Sequence, residues 1–111
     1  MAAKTPAPVK IKIPKKELDE FCFRYQVQRL ALFGSVLGNN FRDDSDVDIL
    51  VSFKPTAHVG FVTFSRMQRE LSGLFKRPVD LVPIDGLKPV IRDSILSNIK
   101  EVYAARKIIP D

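Results

Sequence analysis

The stretch that decides the fold runs from Phe33 to Phe53, FGSVLGNNFRDDSDVDILVSF. It holds a Gly34-Ser35 pair, ten intervening residues, then Asp46 and Asp48 at the head of an apolar run. Successive side chains of a β-strand point to opposite faces, so residues two apart share one face. Asp46 and Asp48 therefore project together, while Val47, Ile49 and Val51 point the other way into a core. Two carboxylates ~4 Å apart repel by about 4 kcal/mol at an effective dielectric of about 20. A chain seldom keeps such a pair beside a packed sheet unless a cation sits between them. Oxygen-only ligands on a rigid strand suit Mg²⁺, which commonly binds one or two carboxylates plus the phosphates of a nucleotide.

On the N-terminal side, Val27 to Phe33 is a short apolar run closed by the Gly34-Ser35 turn signal, and reads as the first strand. Gly34 lets the backbone pass close to a ligand, and Ser35 is a good N-cap for the one or two helical turns that VLGNNF can form. Free N–H groups at a helix start make a ready phosphate site. Gly-Ser alone reads as an ordinary capped turn; its distance from the Asp pair gives it weight. Further back, Leu18, Phe21, Cys22 and Tyr25 fall at helical spacing, with Glu17, Asp19 and Glu20 early in the segment, so Lys15 to Tyr25 reads as an amphipathic helix. Cys22, on the apolar face, reads as a buried small residue. Residues 1–14, with Pro6, Pro8 and Pro14 among alanines and lysines, read as a flexible basic arm ahead of a domain at 15–111.

On the C-terminal side, Asn39 to Ser45 is a polar loop whose Asp43 and Asp44 read as solvated charges, and Asp46 to Phe53 is the second strand. His58, with no second His, Cys or base at a recognisable spacing, reads as a connector residue. Phe61, Phe64, Met67, Leu71 and Leu74 place a helix over Gly60 to Phe75 with that stripe toward the core. Val79 to Pro83 is a third strand, and Asp80 is a charge inside it: an edge residue, or a third carboxylate for the site. Leu87, Val90, Ile91, Ile95 and Ile99 give a last amphipathic helix, with Pro89 in its first turn. Val102-Tyr103 onward reads as a short apolar tail that frays at Lys107 to Asp111.

Composition bounds what such a chain does. With 111 residues, 45% hydrophobic and 28% charged, it is one globular domain with a small core, for which a partner adding buried surface is unsurprising. The net charge of +5 is that of the five lysines in residues 1–16; the remaining 13 basic and 13 acidic residues cancel. The body is therefore no basic nucleic-acid platform, although the lysine arm leaves a nucleic-acid-directed enzyme as a competing reading. The single Cys22 fits a reducing compartment, and there is neither a long apolar run nor a secretory signal, so a cytoplasmic protein is expected.

The chemistry that three carboxylates and a Gly-Ser corner suit is nucleotidyl transfer, which needs in-line positioning and cations on the phosphates. Two metals about 4 Å apart activate the attacking hydroxyl and steady the leaving pyrophosphate. Asp46 and Asp48 would hold both; Asp80, on a neighbouring strand, would hold the one nearest the acceptor and assist its deprotonation.

The run Leu32-Phe33-Gly34-Ser35, ten residues, Asp46-Val47-Asp48, and then Val79-Asp80-Leu81-Val82 resembles the minimal nucleotidyltransferase (MNT) family of the DNA polymerase β-like superfamily. The likeness covers about residues 17–105, and the closing LKPVIRDSILSNIKEVYA looks like that family's C-terminal helix. The resemblance implies an α/β fold, a small mixed sheet with helices packed on one face. It implies ATP as donor with Mg²⁺, and a HEPN-type helical toxin as partner, to whose tyrosine hydroxyl AMP is transferred, neutralising it. It assigns Asp46, Asp48 and Asp80 as catalytic metal ligands and Gly34 with Ser35 to the phosphates. Many members carry an Arg shortly after Gly-Ser; this chain has Gly38 there, leaving Arg42 as the residue that would reach back toward the triphosphate. An antitoxin that acts by binding alone, its site vestigial, is the alternative that this departure leaves open.

Overall fold

The computed structural model describes residues 11–38, 42 and 45–105. Helix α1 spans Lys15–Arg24 and buries Leu18, Phe21 and Cys22, with Glu17 in its first turn and Arg24 in its last. Those charges complement the helix dipole, and Lys15 Nζ meets Asp19 Oδ1 at 2.7 Å one turn on. Gln26, at φ +56°, turns the chain into strand β1, Val27–Phe33. A single 3-10 turn at Gly34–Leu37 follows, then β2 at Val47–Phe53. Helix α2, Phe61–Phe75, ends where Lys76 adopts a left-handed conformation, and β3 covers Val79–Pro83. A second 3-10 turn at Ile84–Gly86 leads to α3, Pro89–Leu96, and to β4, Lys100–Ala104.

The four strands lie in the order β3-β2-β1-β4. β1 runs antiparallel to both neighbours, and β2 and β3 are parallel, joined by α2. One face carries the core: Val27, Leu30 and Leu32 of β1, Val47, Ile49 and Val51 of β2, Val79 and Leu81 of β3, and Val102 of β4. Against it pack Leu18, Phe21 and Cys22 of α1 and Met67, Leu71 and Phe75 of α2. Full burial of such side chains is worth about 1.5–3 kcal/mol each, so this one layer of helix on sheet supplies most of the driving force. The opposite face, bearing Asp48 and Asp80, receives neither α1 nor α2. Ile11 and Ile13 pack partly buried against the core, so the packed body begins at least as early as Ile11; residues 1–10 lie outside the described part.

Three expectations are corrected. Residues 100–104 are not an apolar tail but the edge strand β4, set beside β1 with Leu32 opposite Lys100 and Arg29 opposite Ala104. In sequence, Val102-Tyr103 onward reads as a short tail because five residues with two charges at the start give little strand signal alone. The last helix stops at Leu96 rather than Ile99 and buries none of its residues; Val90 is 85% exposed. The stripe of α2 is borne out at Met67 and Leu71, with Phe64 and Leu74 packed against the core, but Phe61 is 86% exposed and Phe75, outside the expected set, closes the core. The expectations for Asp43, Asp44 and residues 107–111 fall outside the described residues.

Candidate active site

The site forms where β1 ends and β2 and β3 begin. Parallel pairing of β2 with β3 sets Asp48 opposite Asp80, and antiparallel pairing of β1 with β2 sets Phe33 opposite Asp48. Because Val47, Ile49, Val79 and Leu81 face the core, Asp48 and Asp80 project together from the other face. Asp46 lies one residue ahead of β2, exposed, on a segment anchored by the Val47 N–H, which donates to the Pro78 carbonyl (2.9 Å). Asp48 senses its two neighbours: burial pushes its carboxyl above its ordinary value, and the negative charges of Asp80 and then Asp46 push it further.

The Gly34 corner closes over the same carboxylate. Gly34 has φ +77°, and a Cβ there would land on Asp48 Oδ2 and within 3.3 Å of its Cγ. Glycine is required twice over, by the backbone angle and by the approach to Asp48. Ser35 follows within the 3-10 turn and is exposed; its carbonyl accepts the Gly38 N–H at 2.9 Å. The expected role of Ser35 as N-cap is corrected, since Phe33 holds that position and no side chain caps the turn. Arg42 stands in a turn ahead of Asp46, its N–H donating to Ser45 Oγ (2.9 Å) and its carbonyl accepting the Ser45 N–H (3.0 Å). Among the described residues its guanidinium makes no hydrogen bond or ion pair. His58 is exposed in the connector after β2, far along the strand from the acidic end.

Other polar residues that position this end of the sheet were not singled out from sequence. The Val79 N–H donates to Ser72 Oγ (3.0 Å) and the Leu81 N–H to Gln68 Oε1 (2.9 Å), so α2 covers the free edge of β3 on either side of Asp80. Arg77 Nη1 donates to the carbonyls of Arg42 (3.1 Å) and Ser45 (3.5 Å), tying the turn before Asp46 to the start of β3. The sequence carries no distinctive signal for the first pair: Gln68 and Ser72 are polar residues one helical turn apart, each next to a core position, Met67 or Leu71, as on any amphipathic helix.

Chemically, the arrangement offers oxygen-only donors from two parallel strands beneath a glycine corner. As they stand, no three acidic, histidine or cysteine side chains among the described residues are arranged to hold a metal ion. The donor chemistry nonetheless fits Mg²⁺: Asp48, strained by two like charges, is the kind of group a hard cation relieves.

This is the layout of an enzyme that moves a nucleotidyl group. A family model described as "Nucleotidyltransferase domain" matches residues 14–102, and the chain belongs to that family. It is 35% identical over 85 residues to the protein adenylyltransferase MntA of Thermococcus cleftensis, covering 77% of this chain and 81% of that one. Among solved structures, a toxin–antitoxin complex with AMP-PNP contains a chain similar at a TM-score of 0.68 and 18% identity, over 85% of this chain and 76% of that one. A tri-AMPylated Shewanella oneidensis HEPN toxin in complex with its MNT antitoxin contains another, at a TM-score of 0.60 and 18% identity, over 82% and 70%. The protein is thus a nucleotidyltransferase of the protein-adenylyltransferase kind. Among the described residues no helix is long and apolar enough to cross a membrane.

Proposed function

We propose that the protein is an antitoxin that transfers AMP from Mg²⁺-ATP to a hydroxyl, a tyrosine by the family resemblance, of a HEPN-type helical toxin and so silences it. The observation that carries the reading is the convergence of Asp48, its register partner Asp80, and the Gly34 backbone on one point of the sheet face away from α1 and α2. The relative named a protein adenylyltransferase and the neighbour whose toxin is tri-AMPylated support the same reaction and partner class.

In this reading Asp46, Asp48 and Asp80 hold Mg²⁺, which when bound neutralises charge on the triphosphate and the attacking oxygen. Gly34 and Ser35 let the chain approach the outer phosphates, because no Cβ stands at 34 and the Ser35 hydroxyl is exposed beside it. The acceptor oxygen attacks the α-phosphorus, the bond to pyrophosphate breaks, and Asp80, the more exposed of the strand pair, accepts the hydroxyl proton. Asp48, half-buried, keeps its place under the Gly34 corner throughout. A cytoplasmic setting accords with the single cysteine, whose thiol burial pushes up to about 12, with Asp19 adding to the shift, so that it stays protonated and inert.

Gly38, where the family resemblance leads one to expect an Arg, favours one second reading: neutralisation by binding alone. One experiment separates them. The chain is co-expressed with its helical toxin and supplied with ATP labelled at the α-phosphate. Mg²⁺-dependent label on the toxin, lost together with neutralisation in Asp46→Asn, establishes the transfer. A toxin silenced but unlabelled, by wild type and Asp46→Asn alike, establishes occlusion instead.

A further inference from the structure

We propose that Gln68 and Ser72 of α2 form a two-point ruler that fixes the height of Asp80 opposite Asp48, so that both are positioning residues for the transfer. The inference rests on the reading of Asp80 as a working carboxylate. Asp80 is on an edge strand, where one side is held by β2 and the other has no strand to fix it. An edge strand left to itself shifts and twists easily. Here the N–H groups that face outward, Val79 and Leu81, flank Asp80 and are both taken up by α2 side chains.

The fit is one of matched repeats. Residues two apart on a strand advance about 6.6 Å, and residues four apart on a helix about 6 Å. Ser72 and Gln68 are four apart on α2, and the amides they accept from are two apart on β3. The order is reversed, Ser72 with Val79 and Gln68 with Leu81, as the tight turn through Lys76, Arg77 and Pro78 dictates. The Ser72 hydroxyl in turn donates to the Gln68 carbonyl at 3.0 Å, which fixes its lone pairs toward the strand. A slide of β3 by one residue would present Val79 or Leu81 to the open face and remove Asp80 from Asp48. Removing one acceptor does not unfold the layer, because Met67 and Leu71 remain in the core; it frees the strand between two restraints.

The test uses the full chain with its co-expressed partner and compares Gln68→Met, Gln68→Glu, Ser72→Ala, Asp80→Asn and Leu74→Ala. Methionine keeps the length of Gln68 but has no oxygen; glutamate keeps an acceptor. Gln68→Met is expected to speed amide exchange at Leu81 and to lower kcat roughly 10- to 100-fold, the range typical of residues that orient ligands. The KM for ATP should stay within about threefold, since the binding corner is untouched. Gln68→Glu restores both amide protection and kcat, and Ser72→Ala acts in the same direction at Val79. Leu74→Ala, which trims a partly buried side chain of α2 that takes part in neither hydrogen bond to β3, lowers the melting temperature and leaves kcat of the folded protein alone. Wild-type kcat in Gln68→Met, beside a dead Asp80→Asn, overturns the ruler alone; so does a kcat loss that Leu74→Ala reproduces. Full activity in Asp80→Asn instead overturns the reading of Asp80, and the ruler falls with it.

Discussion

Replacing Gly34 by alanine separates the scaffold from the chemistry. At φ +77° a Cβ costs about 1–2 kcal/mol, partly offset by the ~0.4–1 kcal/mol that alanine removes from the entropy of the unfolded chain. The new methyl also meets Asp48 Oδ2, the end of a short side chain that can rotate away, and rotation relieves its repulsion with Asp80 and Asp46. The net destabilisation is therefore about 1 kcal/mol, a fall of about 4–8 °C in melting temperature for a domain of this size. Catalysis suffers far more, because displacement of a working group by about 1 Å can cost about 100-fold. Gly38→Ala is the control. Its Cβ would find the Ser35 carbonyl oxygen at 3.6 Å, an ordinary contact on extended backbone, so stability and turnover should hold or improve slightly. Calorimetry and label transfer from α-labelled ATP read both. A Gly34→Ala protein with wild-type turnover would refute the placement of Asp48 under this corner.

Other outcomes follow from the same geometry. The raised Asp48 carboxyl means that the folded state binds its proton more tightly than the unfolded chain does; stability from this group is full below pH 3.8 and is lost as pH rises through the raised value. In metal-free buffer Asp48→Asn should therefore melt higher than wild type near neutrality, with the gap closing below that pH, as scanning calorimetry would show. Gly38→Arg puts a guanidinium in the turn after the Gly34 corner, its Cβ in ordinary contact with the Ser35 carbonyl oxygen at 3.6 Å, and should lower the KM for ATP several-fold without altering kcat greatly. Val90→Ser, on the exposed face of α3, should change stability by less than about 0.5 kcal/mol in a denaturant titration; a large loss would show that α3 belongs to the core after all.

Much of this architecture was legible from residue types alone, and the parts that were not share a cause. Leu18, Phe21 and Cys22, or Val47, Ile49 and Val51, announce their elements because each set buries one face, and burial is what periodicity records. That Asp48 and Asp80 lie side by side on one face was legible because strand alternation puts both opposite the core residues Val47, Ile49, Val79 and Leu81. Strand β4 was missed since its pairing with β1 is a long-range contact, and five residues beginning Lys100-Glu101 carry no alternation strong enough to show it. Val90 and Ile91 fall in the apolar stripe of the last helix by spacing and are exposed, because spacing cannot say whether a surface exists for the stripe to pack on. Gln68 and Ser72 stayed hidden because a side chain that accepts from a neighbouring strand looks, in sequence, like any polar residue on a helix.

The decisive measurement is a titration of Mn²⁺, as a paramagnetic substitute for Mg²⁺, into the isotope-labelled protein with a non-hydrolysable ATP analogue, followed by amide line broadening. Broadening centred on Gly34, Asp48 and Asp80 and abolished by Asp48→Asn is the result expected. Broadening centred elsewhere, or unchanged in that variant, would contradict the assignment of the acidic trio as the seat of transfer.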